Sequence, residues 1–401
     1  VTRARALVIG AGIGGLAAAA GLCSDGWDVS VCERAKSLEP VGAGLALAPN
    51  GLRALDAVAP GHGLRALAVQ QELGIRRSDG RWLIRSTTGQ MVSERFGDPV
   101  IVLPRAAVID ALAARIPDGV LSLATAVTSV ESVGKPEPGR TVAVRVATTA
   151  GDLAADLVVA ADGIGSVVRA ALFPEHPGLR YAGFTTWRLL AGPVTGQVPM
   201  AESWGRGTVF GVVPLSGGRV YCYAAAPAAS GERAGDELAE LVSHFGTWHD
   251  PIPELLAIAK PQDVLRNDVA QLAAPLPSFH QGRVALLGDA AHPMTPNLGQ
   301  GACQALEDAA VICRLAAGTE PDAVTGMLDS YTAARLPRTT DIVRWSRRAA
   351  TMTTWSAPLA VTFRNTATRL IGRLAPGTAI LGLVPIYGWQ PPEAARPSGA
   401  G

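Results

Sequence analysis

Leu7-Val-Ile-Gly-Ala-Gly-Ile-Gly-Gly15 is the stretch that decides the fold. A short apolar run passes directly into Gly10-x-Gly12-x-x-Gly15, and an Ala-rich helix is expected over Leu16–Asp25. Gly26 stops it, since a helix end often needs a left-handed residue. A second strand, Asp28–Cys32, then delivers Glu33. The unit is about thirty residues long, one βαβ half of a dinucleotide-binding fold. Gly10 permits the tight turn, Gly12 lets the backbone approach a pyrophosphate, and Gly15 lets helix pack on strand. The helix N-terminus offers free N–H groups and partial positive charge to phosphates. Glu33 stands where a carboxylate accepts hydrogen bonds from ribose hydroxyls and repels a 2′-phosphate. That favours the ADP half of FAD or NAD over NADP. Gly14 and Arg34 complete the expected contacts at this end.

The bulk numbers narrow the class. A chain of 401 residues has room for two or three domains of roughly 100–200 residues. At 48% hydrophobic and 17% charged, it can bury a large core and is not a disordered chain. A net charge of +1 leaves no electrostatic footprint for nucleic acid. The five Cys form no CxxC pair, and their odd number fits reduced thiols and a cytoplasmic location. No secretory pattern opens the sequence, and no apolar run reaches the ~20 residues that span a bilayer. Ala357–Trp389 is apolar but interrupted by Arg364, Arg369 and Arg373. Their spacing suits one polar face of a packed helix, so no membrane contact is expected. No His, Cys or carboxylate cluster has metal-ligand spacing, and no metal is expected.

Along the chain, Gly42 and Gly44 give an extended segment close backbone access to something. Asn50 is placed to cap a helix Gly51–Val58. Gln70–Arg95 reads as antiparallel strands with a turn at Asp79-Gly80. Pro104 opens a helix Ala106–Arg115. Val120–Val133 and Thr141–Ala147 read as an antiparallel pair. A buried strand, Asp156–Ala161, runs into Asp162-Gly163-x-x-Ser166-x-x-Arg169. Phe184–Leu190, Thr208–Pro214 and Arg219–Ala225 read as a second sheet, with Asp263–Ala270 a further strand. Glu232–Phe245 is expected to be a helix with an apolar stripe at Leu238, Leu241 and Val242. Arg283–Asp289 is a buried strand ending in a sharp turn. A Pro-containing loop Ala290–Gln300 and a helix Gly301–Leu315 follow, and Asp329–Arg347 is helical apart from Pro337.

Three blocks in order, Gly10–Gly15, Asp162–Arg169 and Gly288-Asp-Ala-Ala-His-Pro-Met-Thr-Pro-Asn-Leu-Gly-Gln-Gly-Ala302, resemble the single-component flavoprotein aromatic hydroxylases. The resemblance covers nearly the whole chain and is strongest to the salicylate and urate hydroxylase type. It implies an α/β fold: a Rossmann-like FAD-binding domain of the para-hydroxybenzoate hydroxylase kind, interleaved with a smaller mixed β-sheet substrate domain, plus C-terminal helices. The FAD-binding part is expected at 1–75, 98–178 and 265–345, the substrate part at 76–97 and 179–264, and the helical segment at 346–401. The resemblance implies that Asp289 meets the ribityl chain and that Gly299, Gln300, Gly301 and Ala302 meet the isoalloxazine. A helix N-terminus there stabilises the anionic reduced ring. It also implies FAD contacts from Arg105, the Ala46 backbone and the Val127 backbone near adenine. Asp162 falls in the motif shared between FAD and NAD(P)H. Cys303 stands where the para-hydroxybenzoate enzymes carry Asn.

The implied reaction takes hydride from a transiently bound NADH or NADPH and uses O₂ to place a peroxide on the flavin. One oxygen then passes to an aromatic or polyketide-like small molecule. The cofactor carries that chemistry, and the protein holds the parts and excludes water. Candidate substrate walls are Trp187, Arg188, Tyr221 and Tyr223. Arg188 is expected to hold a carboxylate or phenolate, and Tyr221 to position or deprotonate a hydroxyl. Strand alternation puts Tyr221 and Tyr223 on one face. Pro296, with Pro293, stiffens the loop over the flavin and leaves carbonyls free to shape a phenol pocket. His292 reads as a structural partner. A reductase or dehydrogenase of the same fold, or a flavin-binding redox sensor without turnover, stays open as an alternative. Either a monomer or a homodimer is compatible with the sequence.

Overall fold

A six-stranded sheet forms the first layer, in the order His280–Gln281, Val284–Leu286, Leu157–Ala160, Arg5–Ile9, Asp28–Cys32, Leu121–Ser122. All neighbours are parallel except the first pair. In this computed structural model the described residues are 3–38, 44–67, 74–85, 88–132, 144–194, 196, 198–374 and 381–393. Gly42 and the parts of expected strands at 70–73, 133 and 141–143 lie outside them. The helix Ile13–Ser24 is buried from Ile13 to Leu22 and has no polar face. Its sequence is apolar all round because it lies between the sheet and a second buried helix, Gly301–Ala316. The chain leaves Arg5–Ile9 toward Asp28–Cys32 on one side, and Leu157–Ala160 flanks it on the other. That reversal opens a crevice at the strand ends, where α/β sheets bind ligands.

The second layer is a seven-stranded sheet: Leu265–Leu272, Leu179–Ala191, Val220–Pro227, Val209–Pro214, Ala201–Trp204, Gly74–Arg77, Trp82–Arg85. Every pairing is antiparallel except Ala201–Trp204 with Gly74–Arg77. One face packs Trp187, Leu189, Phe210, Val212 and Cys222 against the helices Glu237–Phe245 and Ile252–Ile258. The other presents Tyr221, Val213 and Leu215 toward the first layer. Three expected domain limits move as a result. Residue 75 falls inside Gly74–Arg77, which belongs whole to this sheet. Leu265–Leu272 pairs with Leu179–Ala191 and belongs here too. Residue 345 lies inside the long helix Val324–Thr353.

Other expectations shift for local reasons. The helix of the second half of Gln70–Arg95, Thr88–Phe96, replaces an expected strand. Asn50 is in the first turn of Pro49–Val58 and does not cap it; Ala48 is the cap residue, and Pro49 starts the helix. Asp236 caps Glu237–Phe245 by accepting from the Leu238 and Ala239 N–H groups, and Val242 faces outward at 46% exposure while Leu241 and Phe245 are buried. Pro337 sits inside an uninterrupted helix, although an interior proline costs about 3 kcal/mol. Arg335 and Arg338, on either side of it, are paired with Glu307 and Asp308 of the helix Gly301–Ala316. In the helix Pro358–Leu374 the three arginines expected on one polar face are split: Arg369 and Arg373 are exposed and Arg364 is not. Arg364 is buried, whereas Leu359 and Phe363 are exposed.

Candidate active site

The helices Ile13–Ser24 and Gly301–Ala316 run parallel. A Cβ on Gly14 would lie 3.1 Å from the Ala305 Cβ, and one on Gly21 would lie 2.5 Å from the Cys313 Sγ. Their N-termini therefore open on the same side of the molecule. Neither start carries a side-chain cap: Gly12 and Gln300 occupy the cap positions without one. Two sets of backbone N–H groups thus face one crevice, a ready site for anionic groups.

Gly12 and Gly15 serve different ends. A Cβ on Gly15 would lie 1.9 Å from the Gly10 carbonyl oxygen, so its bareness lets the helix close on the strand. A Cβ on Gly12 would meet nothing within 4 Å. The fold leaves that space open, which is the fit a pyrophosphate requires. Glu33 is half-buried at the end of the second strand. One carboxylate oxygen accepts from the Ala11 N–H at 2.7 Å and the other from the Ala35 N–H at 2.8 Å. Each oxygen keeps a lone pair for a ribose hydroxyl. Arg34 is exposed beside it. The segment leading to Val127 lies against this edge, with the Thr125 N–H donating to the Glu33 carbonyl at 2.8 Å.

Asp162 follows the strand next to Gly10, and its Cα lies 3.3 Å from a Gly10 Cβ position. One of its oxygens accepts from the Val168 N–H at 3.3 Å, and the other is buried without a partner. Ser166 caps the next helix through the Arg169 N–H. The Arg169 side chain donates to the carbonyls of Asp289 (3.3 Å) and Ala290 (3.0 Å), joining the two loops. The Asp289 carboxylate opens to the crevice but is crowded by protein. Burial raises its pKa, against the pull of His292, Arg105 and Arg169.

At the other helix start, Gly299 takes φ 60° and Gln300 is buried. The strand Gly44–Leu47 pairs with Ile101–Pro104, which places Ala46 opposite Val102 and Arg105 directly after its partner strand. Ala46 lies beside Gly299, 3.7 Å from a Cβ position there. Cys303 is buried and points its Sγ at the Ala48 N–H, 3.5 Å away, so it packs on the protein side of the turn. Burial pushes its thiol up to about 12. Pro296 is exposed, and its carbonyl accepts from the Gly299 N–H at 2.9 Å. The expectation of a free carbonyl there is corrected: that oxygen closes the turn which orients Gly299.

The smaller sheet closes the crevice. The Tyr221 ring lies on the Gly44 backbone with no room for a side chain between, and it is 5.9 Å from the Tyr223 ring. Burial pushes the Tyr221 hydroxyl up to about 12, opposed by Arg188. That shift favours the protonated hydroxyl, a hydrogen-bond donor. Tyr223 donates to Glu202 at 2.6 Å and is engaged within the sheet. Arg188, opposite Tyr223, donates to Asn267 at 2.6 Å, and its Nε is buried without a partner. Burial lowers the Arg105 pKa, as does Arg188 nearby, with Asp289 opposing. Trp187 is corrected. Strand alternation turns it to the far face, where its indole N–H donates to Glu237 at 2.7 Å among core residues.

A buried ionic network, unforeseen from the sequence, braces both flanking turns. Glu307 accepts from Asn50 at 2.7 Å, and Asn50 also donates to Gln300 at 2.9 Å. Asp308 accepts from the Gly288 N–H at 2.9 Å and meets His292 Nε2 at 2.6 Å. Arg335 reaches Asp308 at 2.6 Å and Glu307 at 2.5 Å, and Arg338 adds a second cation to Glu307. Burial alone would raise both carboxyls. Arg335 and Arg338 beside Glu307, and His292 and Arg335 beside Asp308, hold them below the usual carboxylate range. The available signal was two adjacent carboxylates inside an apolar helix, which are rarely buried unpaired. No cluster able to hold a metal ion occurs among the described residues.

A family profile described as an FAD binding domain matches residues 3–346. The chain belongs to this FAD-binding family. Its cofactor is FAD, and within the family it is similar to the urate and salicylate hydroxylase type. It is 35% identical over 369 residues to aurachin C monooxygenase/isomerase of Stigmatella aurantiaca, covering 91% of this chain and 94% of that protein. It is 31% identical to the FAD-dependent urate hydroxylase of Klebsiella oxytoca, covering 87% and 90%. The Klebsiella pneumoniae HpxO structure with FAD and uric acid superposes with a TM-score of 0.84 at 27% identity, covering 95% of each chain. A salicylate hydroxylase substrate complex shares the fold, with a TM-score of 0.75 at 22% identity over 98% of this chain and 99% of that one.

Proposed function

We propose that this protein is an FAD-dependent monooxygenase that uses NADH or NADPH and O₂ to hydroxylate an anionic aromatic or polyketide-like small molecule. The observation that carries it is the crevice between two uncapped helix starts, closed on its open side by Arg188 and Tyr221. Bound FAD supplies hydride acceptance and oxygen activation, which amino-acid side chains lack.

The residues divide the remaining work. The N–H groups after Gly12 hold the diphosphate, Glu33 the adenosine ribose, and Asp289 the ribityl hydroxyls. With FAD bound, Arg105 and the N–H groups of Gly301 and Ala302 would face the ring and would favour negative charge on it. Arg188 binds a carboxylate or ring oxyanion of the substrate. The protonated Tyr221 donates to a substrate oxygen and orients the ring. The Tyr221 ring on Gly44 keeps water from the crevice at that edge. The sheet that carries Arg188 and Tyr221 is the substrate-side unit, and the parallel sheet with its helices is the flavin-side unit. The five free thiols fit a reducing cytoplasm, where NAD(P)H is available.

The relatives' names fit this reading. One is a 3-amino-4-hydroxybenzoate 2-monooxygenase from Streptomyces cremeus, and others are urate hydroxylases. The test is substrate-stimulated NAD(P)H oxidation by the holoenzyme, screened over hydroxybenzoates, purines and hydroxyquinolones. Incorporation of ¹⁸O from ¹⁸O₂ into the product supports the proposal. Turnover indifferent to removal of O₂ would point to a reductase, and no turnover with any donor to a sensor.

A further inference from the structure

The helix Pro358–Leu374 is oriented against the usual rule for a surface helix. Its inner side is fixed by Arg364, whose guanidinium stacks 5.1 Å from the Trp204 ring and donates to the carbonyls of Gly205 (2.9 Å) and Thr353 (3.3 Å). Gly372 seats the same side on Ile84. The outward side carries Leu359, Phe363, Leu370 and Leu374, at successive spacings that return to one helix face. They are 86%, 68%, 50% and 79% exposed. Four large apolar side chains thus form a stripe ~22 Å long at the helical rise.

We propose that this stripe docks on an anionic lipid bilayer, with the protein resting on the membrane surface. The charge around the stripe selects that occupant. Arg369 and Arg373 are exposed along one border of it. The helix itself carries no Asp, Glu or Lys, and its third arginine, Arg364, is turned inward. An apolar helical face bordered by arginines inserts at the boundary between head groups and acyl chains, and the cations meet anionic head groups. A second copy of this chain fits the stripe poorly. A copy pairing through this same helix offers Arg369 and Arg373 no carboxylate, because the helix carries none. No described helix is long and apolar enough to cross a membrane, so the contact is with the surface only. The inference is independent of the oxygenation reading.

The test is co-sedimentation of the full-length FAD-loaded protein with sucrose-filled vesicles. One set is phosphatidylcholine alone, and the other is equimolar phosphatidylcholine and phosphatidylglycerol. Binding to the anionic vesicles only, weakened by salt, is expected. R369Q/R373Q should lower the partition coefficient about 30-fold and F363S/L374S at least about 100-fold. Both variants should keep the wild-type flavin absorbance, which reports that they are folded. The proposal is overturned if the wild type stays in the supernatant with anionic vesicles at low salt, or if both variants bind like the wild type. It is also overturned if the wild type is a dimer by analytical ultracentrifugation that F363S/L374S converts to monomer, because a second copy then covers the stripe.

Discussion

Substituting Gly12 and Gly15 separately by Ala distinguishes a glycine kept for a ligand from one kept for packing. Gly12 has φ −72° and ψ −179°, a conformation open to Ala, and a Cβ there meets no protein atom within 4 Å. G12A should therefore cost the apoprotein at most about 1 kcal/mol, the difference between Gly and Ala as a helix cap. With FAD bound, the methyl group occupies the space of the diphosphate. Losing two backbone hydrogen bonds to phosphate, at about 1.5 kcal/mol each, weakens FAD binding about 100-fold. In G15A the methyl group would sit 1.9 Å from the Gly10 carbonyl oxygen. The strand and helix must separate, costing about 3 kcal/mol or more with or without cofactor. Urea denaturation of the apoproteins and fluorescence titration with FAD measure both quantities. The reasoning fails if G12A binds FAD like the wild type, or if its apoprotein is as destabilised as that of G15A.

Arg335→Met removes the cation that Glu307 and Asp308 share, leaving Glu307 with Arg338 and Asp308 with His292, and should destabilise the protein by about 3 kcal/mol in urea denaturation. The triple variant E307Q/D308N/R335M should recover part of that loss. Glu307 and Asp308 titrate below their unfolded values, so their stabilisation is complete above the unfolded carboxylate range. It disappears as pH falls through the lower folded values. Thermal melts between neutral and acidic pH should show this decline, and it should be shallower in the triple variant. Tyr221→Phe removes one hydrogen bond to substrate and should lower kcat/KM up to about tenfold. More NAD(P)H should then be lost to hydrogen peroxide in a coupled peroxidase assay, with no new base-side limb in the pH profile. Trp187→Phe should lower the melting temperature through loss of the bond to Glu237, while kcat/KM stays near wild type in the NAD(P)H assay.

The dinucleotide site was legible because its physics is local. A strand, a glycine turn, a helix start and Glu33 lie within one stretch of chain, and each constrains the next. The third glycine-rich block was recognised by its resemblance to the flavoprotein hydroxylases, and the structure shows its turn and helix start as one continuous local unit. The strands of Tyr221 and Arg188 could be read from the sequence, but not the sheet face each side chain takes. Trp187 showed the cost of that gap. Alternation gives two faces, and only the helices Glu237–Phe245 and Ile252–Ile258 decide which one is core.

What remained hidden is all long-range. Asn50 read as a cap because its neighbours fit one, yet its side chain is held by Gln300 and Glu307, about 250 residues on. Pro337 read as a break because helix propensity is summed locally, while the partners of the flanking Arg335 and Arg338 come from another helix. Arg364 read as solvent-facing because charge normally is, until Trp204 and two carbonyls supplied a buried partner. The sequence alone determined most of the elements and the glycine turns between them, since these follow from backbone geometry and short-range pattern. Tertiary structure alone decided which charges are buried and which apolar side chains are left outside. That choice depends on partners brought together from distant parts of the chain.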